Sequence, residues 1–178
     1  MAFFTESHFK YYPDSLNESQ RTFSKQASRD LTTIFDIFVS YNISDKDIVR
    51  GIYNTLTKMG FKVYVDFIID SNLDRGSVNL NTALTIRKRL ENSKSLIYAQ
   101  SPSAAMSRWM PWELGVVDGH TKRCAILPVL KDGSSYYGRQ EYLNLYPVIK
   151  SGLYGELSVY SDPHKTGIGQ SLVSFIKY

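Results

Sequence analysis

Four short runs of β-branched and aromatic residues, each followed by helical periodicity or turn formers, constrain this chain more than any other feature. The runs are IFDIFVSY (Ile34–Tyr41), FKVYVD (Phe61–Asp66), SLIYA (Ser95–Ala99) and RCAILPVL (Arg123–Leu130). Each is of strand length, and the apolar ones read as strands covered on both faces. After the first, Ile48, Ile52, Leu56 and Met59 recur at helical spacing, and Gly60 follows as a C-terminal cap. Ser44, with Asp47 three residues later, predicts a capping box at that helix's start. Leu80, Ala83, Ile86 and Leu90 mark a second helix, and a third begins around Pro111. Strands alternating with helices predict an α/β fold, a parallel sheet with helices on both faces. Ligands of such sheets sit beyond the carboxyl ends of the strands. The loops after Tyr41, Asp66, Ala99 and Leu130 are therefore expected on one rim. Pro128 implies a missing ladder bond near the end of the fourth strand.

The flanks carry weaker signals. Residues 1–33 read as an N-terminal extension without a strong strand signal. Leu16, Gln20, Phe23, Ala27 and Leu31 recur there at helical spacing behind Asn17 and Ser19, predicting one amphipathic helix. The main domain then spans 34–178. Beyond Lys131, turns rich in Tyr and Gly precede a short strand near Leu157–Tyr160 and a last helix marked by Ile168, Leu172 and Ile176. The tyrosine-rich segment Tyr136–Pro147 is read as covering a sheet edge. Residues 67–78, FIIDSNLDRGSV, fit neither period and read as a long loop, a kind often functional in compact domains.

Several function classes fall away. No stretch approaches the roughly eighteen apolar residues of a membrane span, and MAFFTESHFKYY lacks the basic-then-apolar order of a signal peptide. The single cysteine, Cys124, cannot form an internal disulfide, which fits a reducing, cytoplasmic home. The net charge is +4, yet basic residues are scattered; the densest cluster, Arg87–Arg89, reads as a solvated helix face rather than a nucleic-acid groove. His8, His120 and His164 lie far apart, without HExxH or CxxC, so no metal site is expected; His120 suits the capping of its own helix. There is no GxxxxGK[ST] loop, and Gly167 and Gly169 read as turn residues because too little chain follows for a βαβ unit. A phospho-accepting receiver needs an aspartate where the third strand here ends in Tyr98-Ala99-Gln100.

The chain's only two tryptophans flank a proline and adjoin a glutamate in SRWMPWELG, Ser107–Gly115. Proline lacks the interior N–H, so Pro111 belongs in a first helical turn, and Glu113 follows near the positive end of the dipole. Trp109 and Glu113, four apart, share a face; Trp112 with Val116 is expected to face the sheet. One reading is a helix-start acid between core aromatics. The other is an indole wall beside a carboxylate, suited to a flat heterocycle attached to a sugar.

The run DIFVSYNISDKD resembles the opening strand and helix start of the TIR (Toll/interleukin-1 receptor) family. VYVDFIIDSNLDRGS is similar to its second strand and BB loop, SRWMPWEL to its S-x-W-x-x-x-E segment, and CAILPVL to its fourth strand. The resemblance covers residues 34–130 and implies a flavodoxin-like sheet. It further implies that the chain cleaves NAD+ at the nicotinamide–ribose bond, with Glu113 as the catalytic carboxylate and NAD+ as substrate rather than cofactor. Trp109, with Phe38 or Tyr41, is then expected to wall the ring-binding cleft, and Asp66, Arg75, Gly76 and Ser107 to complete substrate binding. Small bacterial members make cyclic ADP-ribose isomers as signals in antiphage systems of the Thoeris type, which implies a separate effector reading the product. The loop 67–78 mediates head-to-tail packing in the family, making Asp70, Asp74, Arg75 and Gly76 candidate self-association residues. Two readings stay open beside this one: a non-catalytic TIR interaction module, and an N-ribosyl enzyme such as a nucleoside deoxyribosyltransferase.

Overall fold

The expected runs form the centre of one sheet. In chain order the elements are β1 (Phe4–Thr5), α1 (Ser7–Lys10), α2 (Glu18–Arg29), β2 (Ile37–Ser40), α3 (Lys46–Lys58), β3 (Val63–Tyr64), α4 (Asp66–Ile69) and α5 (Leu80–Glu91). There follow β4 (Leu96–Gln100), α6 (Met110–Thr121), β5 (Cys124–Leu130), β6 (Val148–Ser151), β7 (Leu157–Tyr160), β8 (Gln170–Ser171) and α7 (Leu172–Lys177). The structure is a computed structural model and describes residues 2–10, 16–73, 79–135, 138, 140–152, 156–165 and 167–177.

The strand order is β3-β2-β4-β5-β6-β7-β8. Strands β3 to β6 pair in parallel through the register Phe38↔Tyr64, Ser40↔Tyr98, Tyr98↔Ile126 and Ile126↔Val148. The parallel centre matches the sequence pattern. At the far edge β7 pairs antiparallel with β6 and β8 antiparallel with β7; the five residues between Ser151 and Leu157 are too few for the crossover that a parallel β6–β7 pair needs. Pro128 sits opposite Gln100 at the last pair of the β4–β5 ladder, where a lost N–H matters least.

Helix α3 buries Ile48, Val49, Ile52 and Leu56, each 4% exposed or less, and each worth about 1.5–3 kcal/mol of burial. It ends at Gly60, whose φ of 86° is the left-handed conformation that glycine adopts without strain. Its start differs from the expected capping box. Asn42 caps a 3-10 turn over Ile43–Asp45 by accepting from Ser44 N, and the Ser44 hydroxyl is spent on Asn42 and Ser103.

The N-terminal region is more engaged than its polarity implied. The two-residue strand β1, in a region read as lacking a strong strand signal, pairs in parallel with the end of β5 through Phe4↔Val129 and Thr5↔Leu130. Ala2 O also accepts from Ser151 N. Helix α2 begins with a reciprocal box between Asn17 and Gln20. It straddles the β3 edge: Gln20 donates to Asn54 and Thr57 on α3, while Arg89 of α5 donates to Ala27 O and Asp30 O. Leu31 lies past its last turn and is 46% exposed, so it is not on the stripe. At the other end Ile168 is 93% exposed and precedes α7 instead of packing it.

Arg89 corrects the reading of the basic cluster. Arg87 and Lys88 are exposed and pair with Glu91, but Arg89 is fully buried. The helix turns by about 100° per residue, so the third member of a surface cluster rotates inward.

Candidate active site

Strand β2 is where the sheet changes direction: the chain leaves it for β3 on one side and, later, β4 on the other. A crevice at the carboxyl end of such a strand is the usual ligand position of an open α/β sheet. The described loops after β2, β3, β4 and β5 meet on this rim, as the strand order requires. Asn42 Nδ2 donates to Ser103 O at 2.9 Å. Asp45 Oδ2 accepts from Ser103 Oγ at 2.6 Å and from the Ser101 hydroxyl. Tyr41 donates to Asp66, and Gln100 Nε2 donates to Gly138 O at 3.0 Å. A cavity of about 230 Å³ opens beside this clasp, lined by Gln100, Ser101, Leu130, Lys131 and Ser134.

Glu113 lies under the same rim. On α6 the buried residues are Met110, Glu113, Leu114 and Val117, spaced i, i+3, i+4 and i+7. The acid therefore occupies a core position of its helix. It is fully buried, and its Oε2 accepts from the Ser40 hydroxyl at the end of β2. Tyr98, in register with Ser40, is equally buried. Burial pushes the Tyr98 phenol upward, and neighbouring Tyr142 and the Glu113 charge push it further. Pro111 sits in the first turn of α6, as expected, and Glu113 N donates to Trp109 O at 2.9 Å.

The other expected site residues divide. Trp109 caps α6, half-buried, with its ring edge-on to Trp112 at 5.4 Å. Trp112 is 38% exposed and does not face the sheet. It lies one residue before Glu113, about 100° away from the acid's inward-facing side. Ser107 Oγ accepts from Met110 N at 3.3 Å and so helps start α6. Phe38 is fully buried and stacks on Tyr64 at 4.9 Å, in the core and not in a cleft. Two residues before Ser40, it shares Ser40's face one pleat deeper. Tyr41 and Asp66 come together, 2% and 3% exposed, beneath the start of the long loop. The Tyr41 ring meets Phe67 at 5.7 Å, and Lys46 and Arg50 lie over the Phe67 ring.

The loop expected over 67–78 starts as a helical turn, α4, with Asp66 Oδ1 accepting from Phe67 N at 2.7 Å. Asp70 is held inside by Arg89, with Nε–Oδ2 and Nη2–Oδ1 both 2.9 Å, and by the Tyr64 hydroxyl at 3.0 Å. That geometry makes it an internal anchor instead of the self-association residue expected of it. Asp74, Arg75 and Gly76 lie outside the described residues. His120 bonds the carbonyl of Val116 at 2.8 Å, the capping contact expected of it. Sequence reasoning missed Ser40, Asn42, Asp45, Ser101 and Ser103; the signal available was the density of short polar residues immediately after two buried strands.

A buried acid under the rim of a parallel sheet's switch point, entered from a helix start, defines an α/β domain with a candidate small-molecule site. The TIR domain family matches residues 37–150, and the chain belongs to that family. It is 43% identical over 148 residues to the "Probable 3' cyclic ADP-D-ribose synthase ThsB'" of Bacillus cereus (strain MSX-D12), covering 80% of this chain and 76% of the relative. Among solved structures it is similar to the TIR domain of the Toll-related receptor TRR-2 from Hydra magnipapillata, at 21% identity and TM-score 0.45 over 62% of this chain and 78% of that one. A metazoan TIR-STING receptor from C. gigas is 20% identical, with TM-score 0.42 over 57% and 32% of the two chains. Among the described residues no helix is long and apolar enough to cross a membrane.

Proposed function

We propose that this chain cleaves NAD+ at the nicotinamide–ribose bond and closes the remainder into a cyclic ADP-ribose isomer, a signal in bacterial antiphage defence of the Thoeris type. The observation that carries the reading is Glu113 on the core face of α6, set under the carboxyl ends of β2 and β4. A carboxylate at such a position costs several kcal/mol of desolvation that an apolar residue avoids. A catalytic role accounts for an acid at that position. The 43% identity to a protein named as a cyclic ADP-D-ribose synthase supports the same reaction.

Loss of neutral nicotinamide leaves positive charge on C1′ and the ring oxygen of the ribose. Glu113, oriented by the Ser40 hydroxyl, stabilises that charge in a site from which water is largely excluded. A nucleophile of the same molecule, a ribose hydroxyl or an adenine nitrogen, then bonds to C1′, any displaced proton leaving to solvent. Trp109 walls the ring, Tyr41 with Asp66 supports the floor beneath the start of the long loop, and Arg75 and Gly76 are further substrate-binding residues. Entry requires the loops after β2 and β4 to part. They are clasped by the Asn42, Asp45, Ser101 and Ser103 hydrogen bonds, which cost less to break than core packing. NAD+ is the substrate, and this chemistry calls for no separate cofactor. The protein acts in the cytoplasm, self-associates through the loop 67–78, and delivers its product to a separate effector.

Glu113→Gln keeps an acceptor for Ser40 and removes the charge. Nicotinamide release, followed by chromatography and mass spectrometry, is expected to fall by about 10²-fold or more while the unfolding midpoint stays near wild type. Retained turnover, or cleavage of deoxynucleosides in place of NAD+, refutes the assignment. Turnover per molecule that stays constant on dilution to monomer removes the self-association.

A further inference from the structure

The sheet face beneath α6 holds a polar group that the mechanism above leaves unused. Tyr98 on β4 stands in register with Ser40 on β2, and paired residues of neighbouring strands point to the same face. Ser40 reaches Glu113 from that face, so the Tyr98 ring rises on the same side, under the helix that carries the acid. Helix α6 packs on both strands, and Ser40, Tyr98 and Glu113 are all fully buried.

The Tyr98 hydroxyl has no hydrogen-bond partner among the described residues. Neighbouring Tyr142 donates its own proton to Gln140 Oε1 at 2.8 Å, and no hydrogen bond joins the two phenols. An unsatisfied buried hydroxyl destabilises a fold, whereas a phenylalanine of the same shape has no such penalty. Burial first, then Tyr142 and the Glu113 charge, push the Tyr98 phenol upward, so it stays a neutral donor across physiological pH. The charge it feels is the acceptor it lacks. An ionised carboxylate has about four lone-pair sites, and one Ser40 hydroxyl does not fill them. A desolvated carboxylate tends to take up a proton, and each hydrogen bond donated to it opposes that tendency.

We propose that Tyr98 is a positioning residue for Glu113: when the loops after β2 and β4 part for substrate, its phenol donates to the carboxylate beside Ser40, and the two hydroxyls together keep the acid ionised and aimed at the ribose. The role rests on the NAD+ reading. Tyr98 lies two residues before the end of β4, where the loop carrying Ser101 and Ser103 begins, so opening of that loop frees the ring to turn. Tyr98 faces the acid from β4, with Tyr142 of the 3-10 turn over Glu141–Leu145 next to it; β2 contributes Ser40, which does not titrate.

The test compares wild type, Tyr98→Phe, Tyr142→Phe and Glu113→Gln for nicotinamide release from NAD+ across pH, with urea unfolding of each. Tyr98→Phe is expected to lower kcat about 10- to 100-fold with KM within about twofold, the signature of a lost interaction that acts in the chemical step. Removing a donor to the ionised form raises the pH at which the acid takes its proton, so the acid limb of kcat moves to higher pH. The unfolding midpoint holds or rises, because the orphaned hydroxyl is gone. Tyr142→Phe keeps kcat near wild type. Wild-type kcat or an unmoved acid limb in Tyr98→Phe, a fall in kcat matched by a lower unfolding midpoint, or an equal fall in Tyr142→Phe would each overturn the positioning role and leave the NAD+ reading standing. Wild-type protein that releases no nicotinamide, or Glu113→Gln that releases it at full rate, would overturn the NAD+ reading and this role with it.

Discussion

Arg89→Ala is the substitution whose cost the structure sets most directly. The guanidinium is fully buried and makes four hydrogen bonds: two to the Asp70 carboxylate at 2.9 Å, one to Ala27 O at 2.8 Å and one to Asp30 O at 2.9 Å. It also lies over the Phe35 and Tyr64 rings. Truncation strands the Asp70 carboxylate, whose side chain is 10% exposed, and empties an arginine-sized space where three elements meet. Removing one partner of a buried pair typically costs about 3–5 kcal/mol. For a chain of this size that corresponds to a fall in melting temperature of roughly 6–20 °C. Urea unfolding measures it, and the Arg89→Met/Asp70→Asn pair supplies the control. With the charge gone from both sides, the double variant is expected to lose clearly less than the two single losses added. A loss for Arg89→Ala below about 1 kcal/mol, or strict additivity in the cycle, refutes the reasoning.

Two further outcomes follow from single contacts. An ideal Cβ at Gly51 falls 2.7 Å from the Cα and Cβ of Phe9, so Gly51→Ala must push α1 off α3. That strain outweighs the helix-propensity gain of about 1 kcal/mol, and a net loss of about 1–2 kcal/mol with faster proteolysis before residue 11 is expected; an unchanged urea midpoint and digest pattern contradict the packing. Asp36 is raised by desolvation but lowered further by Lys62 N–H and Lys94, so its folded pKa lies below the usual carboxylate value. Its stabilisation is present above the unfolded pKa and lost as pH falls through the folded one. Asp36→Asn is therefore expected to lose about 1 kcal/mol at pH 7 and to converge with wild type in acid, by urea titration at both pH values; a gap that persists in acid refutes the linkage.

The parallel centre was legible because its strands are buried on both faces, which leaves continuous apolar runs in IFVS, LIYA and CAILPVL. The edges were not. β1 and β8 have two residues each, too few to show any period, and β6 lies among residues whose turn formers dominate the window. Arg89 was unreadable for a related reason. Lys88, Arg89 and Glu91 are all charged, and only the packing of α2 against α5 tells which one turns inward.

Glu113 is the instructive case, because the evidence was in the string and the weight fell on its neighbours. Two tryptophans drew attention to the i, i+4 pair Trp109 and Glu113, and Trp112 was expected to go inward. The helix chose a different face. Met110, Leu114 and Val117 already spell i, i+4 and i+7, and the one missing member of that stripe, i+3, is Glu113. A charged residue completing an apolar stripe is a local inconsistency that folding alone does not favour. The stripe fixes where the acid must go, under the end of β2. The Ser40 hydroxyl waiting there could not be foreseen, since it depends on which strand of the sheet lies beneath α6. Order along the chain thus gave the acid's depth, and only the sheet topology gave its partner.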